Sequence, residues 1–109
     1  MLGIVVCADG TSLHTGSTVV GPVAGTLTPG SNSFVTINGT LIMVENGQMV
    51  IPTHMYNLIP PLFHSHSFPP VASQGYVTIA GTKMVLLGDA GADGTSIDGA
   101  GSNGFVTIS

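Results

Sequence analysis

Polar and apolar residues alternate in short bursts along this chain, and the bursts come in copies. Gly30-Ser31-Asn32-Ser33-Phe34-Val35-Thr36-Ile37 recurs as Ala72-Ser73-Gln74-Gly75-Tyr76-Val77-Thr78-Ile79, and again as Gly101-Ser102-Asn103-Gly104-Phe105-Val106-Thr107-Ile108. Each copy is a polar turn followed by a β-favouring run, so the unit of construction is a turn plus a strand. The runs predict strands at Phe34–Ile37, Leu41–Val44, Tyr76–Ile79, Met84–Leu87 and Phe105–Ile108, with further ones at Gly3–Cys7 and Thr18–Val20. Asn38-Gly39 tolerates the positive φ of a type I′ turn and joins the first pair into a hairpin; Ala80-Gly81 holds the same place in the second. Helix signals are nearly absent, because 16 Gly and 7 Pro interrupt the chain every few residues.

The first two hairpins match at a spacing of 42 residues, and the spacing continues outside them. Asp9-Gly10-Thr11 aligns with Ile51-Pro52-Thr53 and Asp93-Gly94-Thr95, and Ser12-Leu13-His14 aligns with His54-Met55-Tyr56 and Ser96-Ile97-Asp98. The expectation is one all-β domain over residues 1–109: a small, cone-shaped, pseudo-threefold arrangement of short β-hairpin repeats. Gly3–Cys7 would complete the hairpin that Phe105–Ile108 begins, and closing the ring would remove sheet edges. Residues 55–72, rich in proline and aromatic residues, read as an extended insertion between the second and third units.

Charge narrows the function classes. Only 6% of residues are charged; Lys83 is the one basic residue, against Asp9, Glu45, Asp89, Asp93 and Asp98. One lysine cannot hold a phosphate backbone, which argues against nucleic acid, and it cannot make a basic membrane-surface helix. No apolar run approaches bilayer-spanning length, and no conventional signal peptide is expected. So neutral a surface favours association, so a partner is expected to cover much of it. The single Cys7 permits no internal disulfide and reads as a buried apolar residue within a strand.

The histidines carry the chemistry. His14 and His54 sit within two residues of the 42-residue register, at what read as matching turns, and His64-Ser65-His66 lies in the insertion. In an extended segment residues i and i+2 face the same way, so His64 and His66 can address one ion. Imidazole nitrogens bind zinc at about 2.0–2.1 Å, and a metal crosslink can hold loops together where there is little apolar core. His14, His54, His64 and His66 are therefore the candidate ligands, with Cys7 and Asp98 chemically possible. Gly99-Ala100-Gly101-Ser102-Asn103-Gly104 fits a dinucleotide fingerprint only literally, because it precedes a strand and opens no helix. No spacing assembles a hydrolase triad.

The chain also resembles the PAAR-repeat proteins. Gly30-Ser31 through Ile37-Asn38-Gly39, Gly81 through Gly88-Asp89, Thr11-Ser12-Leu13-His14 and Pro52-x-His54 are similar to that family's hairpin phrase, hairpin ending, His turn and Cys-Pro-x-His segment. The name-giving tetrapeptide is absent, with Leu41–Val44 and Lys83–Leu86 standing in its place, and Ile51 stands where the family has Cys. The resemblance implies a monomeric, non-enzymatic spike tip. It would cap a trimeric β-helical spike or hub protein in a contractile injection machine (phage tail, tailocin or type VI secretion system) and meet the target cell envelope. It would carry zinc, or iron, near its apex. It would be made in the bacterial cytoplasm and end on a virion tail or secreted injection apparatus. A metal-dependent binding module or hydrolase using the His cluster and the aromatic insertion is the alternative; a capsid or baseplate decoration protein is a third.

Overall fold

The three copies build three arms, and the arms pair in a ring. In the computed structural model, which describes residues 3–16, 20–104 and 106–108, the strands are Gly3–Ile4 (β1), Thr11–His14 (β2), Val23–Leu27 (β3), Thr36–Ile37 (β4), Thr40–Leu41 (β5), Met49–Asn57 (β6), Leu62–Phe68 (β7), Thr78–Ile79 (β8), Thr82–Lys83 (β9), Thr95–Gly99 (β10) and Thr107–Ile108 (β11). The fold is all-β, with no helix among the described residues. β4 pairs with β5, β8 with β9, and β1 with β11 through Gly3↔Ile108 and Ile4↔Thr107. The two ends of the chain thus supply the third hairpin, as the repeat pattern requires. Asn38 and Gly39 take φ of 52° and 81°, and Ala80 and Gly81 take 51° and 86°, so both tight turns have the positive φ pair of type I′.

Each hairpin feeds a three-residue arm: Val5-Val6-Cys7, Ile42-Met43-Val44 and Met84-Val85-Leu86. The arms bridge cyclically, Cys7 to Ile42, Val44 to Met84 and Leu86 back to Val5. Backbone hydrogen bonds follow the same cycle, from Ala8 N–H to Leu41 O, Glu45 N–H to Lys83 O and Leu87 N–H to Ile4 O, at 2.8, 2.8 and 2.9 Å. Alternate residues of each arm serve two apolar clusters, since successive side chains of an extended chain point opposite ways. Val5, Ile42, Val44, Met84 and Leu86 pack with Ile79; Val6, Met43 and Val85, all fully buried, pack with Leu27, Met49 and Ile97.

A buried carboxamide locks each arm to its hairpin. Asn32 Nδ2 donates to the carbonyls of Val35 and Ile42, Gln74 Nε2 to those of Val77 and Met84, and Asn103 Nδ2 to those of Val106 and Val5. Their carbonyl oxygens accept from the backbone of Phe34 and Val35, of Tyr76 and Val77, and of Val106. The polar turn in the repeated phrase is therefore a clamp. Its leading glycine is also explained. At Gly30 and Gly101 φ is 76° and 68°, and a Cβ would lie 2.3 and 2.1 Å from Asn46 Oδ1 and Asp9 Oδ1, oxygens that accept from Ser31 N–H and Ser102 N–H. The middle copy starts with Ala72 and routes its backbone to Glu45 and Asp89 instead.

Two expectations need correction. The strands predicted in the arms are two-residue ladders followed by isolated bridges, because each arm pairs with two neighbours around the ring rather than with one. The 42-residue register holds from the second unit to the third, Ile42 to Met84, but the first arm lies 37 residues before the second, Val5 to Ile42. Asp9 therefore corresponds to Asn46 and not to Ile51. Residues 55–72 fall largely within one extended hairpin, β6 and β7, which runs from Met49 to Phe68 between the second arm and the phrase that begins at Ala72. Of the strand predicted at Thr18–Val20, Thr18 and Val19 lie outside the described residues and Val20 sits in a bend; Phe105 also lies outside them.

Between arm and next phrase, each unit makes an excursion: β2–β3, β6–β7 and β10. These join as one five-stranded sheet in the order β10-β2-β3-β6-β7. The molecule is elongated, 46 × 24 × 24 Å; hairpin residues Ile37, Ile79 and Ile108 pack on one of the arms' two apolar clusters and excursion residues Leu27, Met49 and Ile97 on the other, which sets hairpins and excursions against opposite faces of the ring.

Candidate metal centre

Two excursions contribute the imidazoles of one cluster, and the third, β10, packs against it through Thr95. His14 ends β2, paired with Thr95 of β10 and Val23 of β3. His54 lies within β6, and His64 and His66 on β7, so neither His14 nor His54 occupies the turn its register suggested. On β7 the expected alternation holds: His64, His66 and Phe68 turn inward while Phe63, Ser65 and Ser67 face out. His54 joins them through a β-bulge. Ile51 pairs with His66 and His54 with His64, so β6 carries one extra residue there, at the exposed pair Pro52-Thr53. Proline suits a bulge because it has no N–H to give the ladder. The extra residue puts both Ile51 and His54 on the inner face, 0% and 6% exposed.

One ligand-capable atom from each of His14, His54 and His66 lies within 4.8 Å of the other two. Ring centroids of His14 and His54 are 5.1 Å apart, of His14 and His66 5.0 Å, and of His54 and His66 5.0 Å. His64 adjoins the group, 4.6 Å from His54 and 4.0 Å from His66. Aromatic rings wall it in: Tyr56 stacks on His64 at 4.1 Å and Phe68 on His66 at 5.0 Å.

The neighbours orient the rings. His54 Nδ1 lies 2.8 Å from the Pro52 carbonyl, which can only accept, so Nδ1 carries the proton. His14 Nδ1 meets Thr95 Oγ1 at 3.1 Å. With Nδ1 committed in both, Nε2 is the atom each ring would offer a metal, and a partner on the opposite nitrogen is the usual support of a ligating histidine. His14 Nε2 also lies 3.7 Å from Asp93 Oδ2. Burial pushes the His14 pKa below its ordinary 6.5, against the pull of Asp93 and with help from His54. Burial, then the charge of His64, lowers His66 likewise. Both shifts favour the neutral imidazole that binds metal.

The donor set fits a borderline-soft divalent ion such as zinc. Tetrahedral bonds of about 2.0–2.1 Å place ligand nitrogens roughly 3.3 Å apart, so closure of up to about 1.5 Å would complete a three-nitrogen site. His64 and Asp93 stand nearest for a fourth position. Asp93 is the residue that sequence reasoning did not join to the histidines: spacing grouped it only with the acids Asp89 and Asp98, as a solvated turn rather than a calcium site, and only the meeting of β2 with β10 carries it to His14. Cys7 lies in an arm, fully buried, its thiol pushed up by burial and then by Asp9. Asp98 is exposed and accepts a 2.7 Å hydrogen bond from Thr11 Oγ1. Neither joins the imidazole group. No known family model and no curated protein matches the chain.

Proposed function

We propose that this chain is the structural tip of a membrane-piercing spike, capping a trimeric β-helical partner with its three-hairpin end and stiffened by zinc, or iron, held among His14, His54, His66 and His64. The observation that carries this reading is the cyclic bridging of the three arms, which lets one chain meet three identical chains without a symmetry mismatch. Equivalent positions of the first two copies present Phe34 and Tyr76, 67% and 86% exposed, a waste of apolar surface unless something covers them. Exposed hairpin strands there can extend a partner's sheet by pairing. At the other side the ion would join the β2–β3 and β6–β7 excursions, and no catalytic step is required. The resemblance to PAAR-repeat proteins supports the same reading, in which the chain would ride on a phage tail, tailocin or type VI apparatus.

The test is co-expression with a trimeric β-helical spike encoded beside it. One chain should co-purify per trimer, Phe34→Ser with Tyr76→Ser should abolish the complex, and the metal content should approach one equivalent. No complex with such a spike overturns the capping role, and less than about a tenth of an equivalent of transition metal removes the ion.

A second reading has one observation in its favour. Three histidine nitrogens are also the ligand set of a hydrolytic zinc site, whose fourth position holds water. A hydrolase or binding module needs a cleft at the metal, and no cavity occurs among the described residues. Zinc-dependent ester hydrolysis lost on His66→Ala would favour it.

A further inference from the structure

The turn of the β6–β7 hairpin is apolar and exposed. Leu58, Ile59 and Phe63 are 61%, 87% and 58% exposed, and Pro60 and Pro61 lie between them. No Asp, Glu, Lys or Arg occurs anywhere between Glu45 and Lys83. We propose that this turn is a lipid-inserting wedge, whose partner is the headgroup and acyl boundary of an uncharged bilayer.

Backbone polarity is what usually keeps a loop out of hydrocarbon. Here it is reduced. Pro60 and Pro61 have no N–H, the Pro60 carbonyl accepts from Asn57 Nδ2 at 3.0 Å, and Asn57 pairs with Leu62 across the ladder. Tyr56, stacked on His64, stands just behind the turn. An aromatic ring with a polar end suits the interface between water and lipid. From Leu62 to His64 the strand rises about 7 Å, and the turn of residues 58–61 lies beyond Leu62, so shallow insertion of the turn leaves the imidazoles in water.

Lipid is favoured over protein by size and charge. A specific protein interface takes roughly 20–30 residues a side, and a convex turn of some half-dozen residues cannot furnish them. A bilayer asks only for apolar side chains and no charge to desolvate. The wedge deepens the spike-tip reading: it rests on that reading for delivery to an envelope, though its affinity for lipid comes from the turn alone.

The chain has no tryptophan, so one introduced residue reports its own surroundings. Ile59→Trp in the full chain should shift its emission to the blue on adding phosphatidylcholine vesicles and be quenched by lipids brominated on the acyl chain. Tyr76→Trp, at the opposite side of the ring, should do neither. Leu58→Ser with Ile59→Ser should weaken vesicle partitioning roughly tenfold or more, with an unchanged melting temperature. Anionic vesicles should bind less well than neutral ones, because the net charge is −4. Water-like emission from Ile59→Trp at saturating vesicle overturns the proposal. So does equal quenching of both reporters, which marks adsorption without orientation, and so does a blue shift that follows protein concentration without lipid, which marks self-association. Spike docking is scored separately by co-purification: Ile59→Ser should leave it intact, and Phe34→Ser with Tyr76→Ser should leave vesicle binding intact.

Discussion

The three-hairpin end and the excursion end are built from the same repeats, yet they are held together by different forces. At the hairpin end the three arms have equal length, so backbone bridges close on themselves and Val5, Ile42, Val44, Met84 and Leu86 pack with Ile79 into one apolar cluster. The carboxamides of Asn32, Gln74 and Asn103 satisfy backbone groups that a two-residue ladder leaves over. At the excursion end the three segments differ in length, so no cyclic ladder forms; an open five-stranded sheet curls instead, and imidazole and aromatic rings fill its inner face. Equal lengths permit closure by hydrogen bonds. Unequal lengths leave a space for side chains, and that is where polar chemistry collects.

The largest effect should come from breaking a clamp. Asn32→Ala removes the partners of two carbonyls and two N–H groups in the ring, and should cost about 3 kcal/mol or more in chemical denaturation. Asn103→Ala should match it within about 1 kcal/mol. A small or unequal loss would deny that the arms are equivalent.

The excursion end should answer to pH where the ring does not. His14 and His66 hold folded pKa values below 6.5. The unfolded chain therefore takes up protons first as pH falls, and metal-free stability, complete above pH 6.5, declines from there to the lowered folded values and then levels off. His66→Ala should flatten this slope, while Asn32→Ala should shift the curve downward without changing its shape. Urea titrations from pH 7.5 to about 4.5 read both. A wild-type curve flat across that range would mean that the imidazoles are not buried together.

The smallest effect belongs to the hairpin turn. Ile59→Ser touches a side chain 87% exposed and should leave stability within about 0.5 kcal/mol by the same titration. A larger loss would tie the turn to the fold and sink its independence from the core.

Much of the ring was legible in the chain. The triplicated phrase, the Asn38-Gly39 turn, and the pairing of the two chain ends all follow from local rules: period-two alternation, turn chemistry and the need to close edges. The inward pairing of His64 and His66 was legible for the same reason. Local rules also misled at the 42-residue register, because an excursion can lengthen without disturbing the arms on either side of it. The bulge at Pro52-Thr53 turns His54 inward, the approach of β10 to β2 brings Asp93 within 3.7 Å of His14, and the stacking of Phe68 on His66 closes the wall. None of these has a sequence period. Each depends on which segments pack against which, so a repeat could announce three arms, while the packing of unequal excursions alone determined which side chains would share one interior.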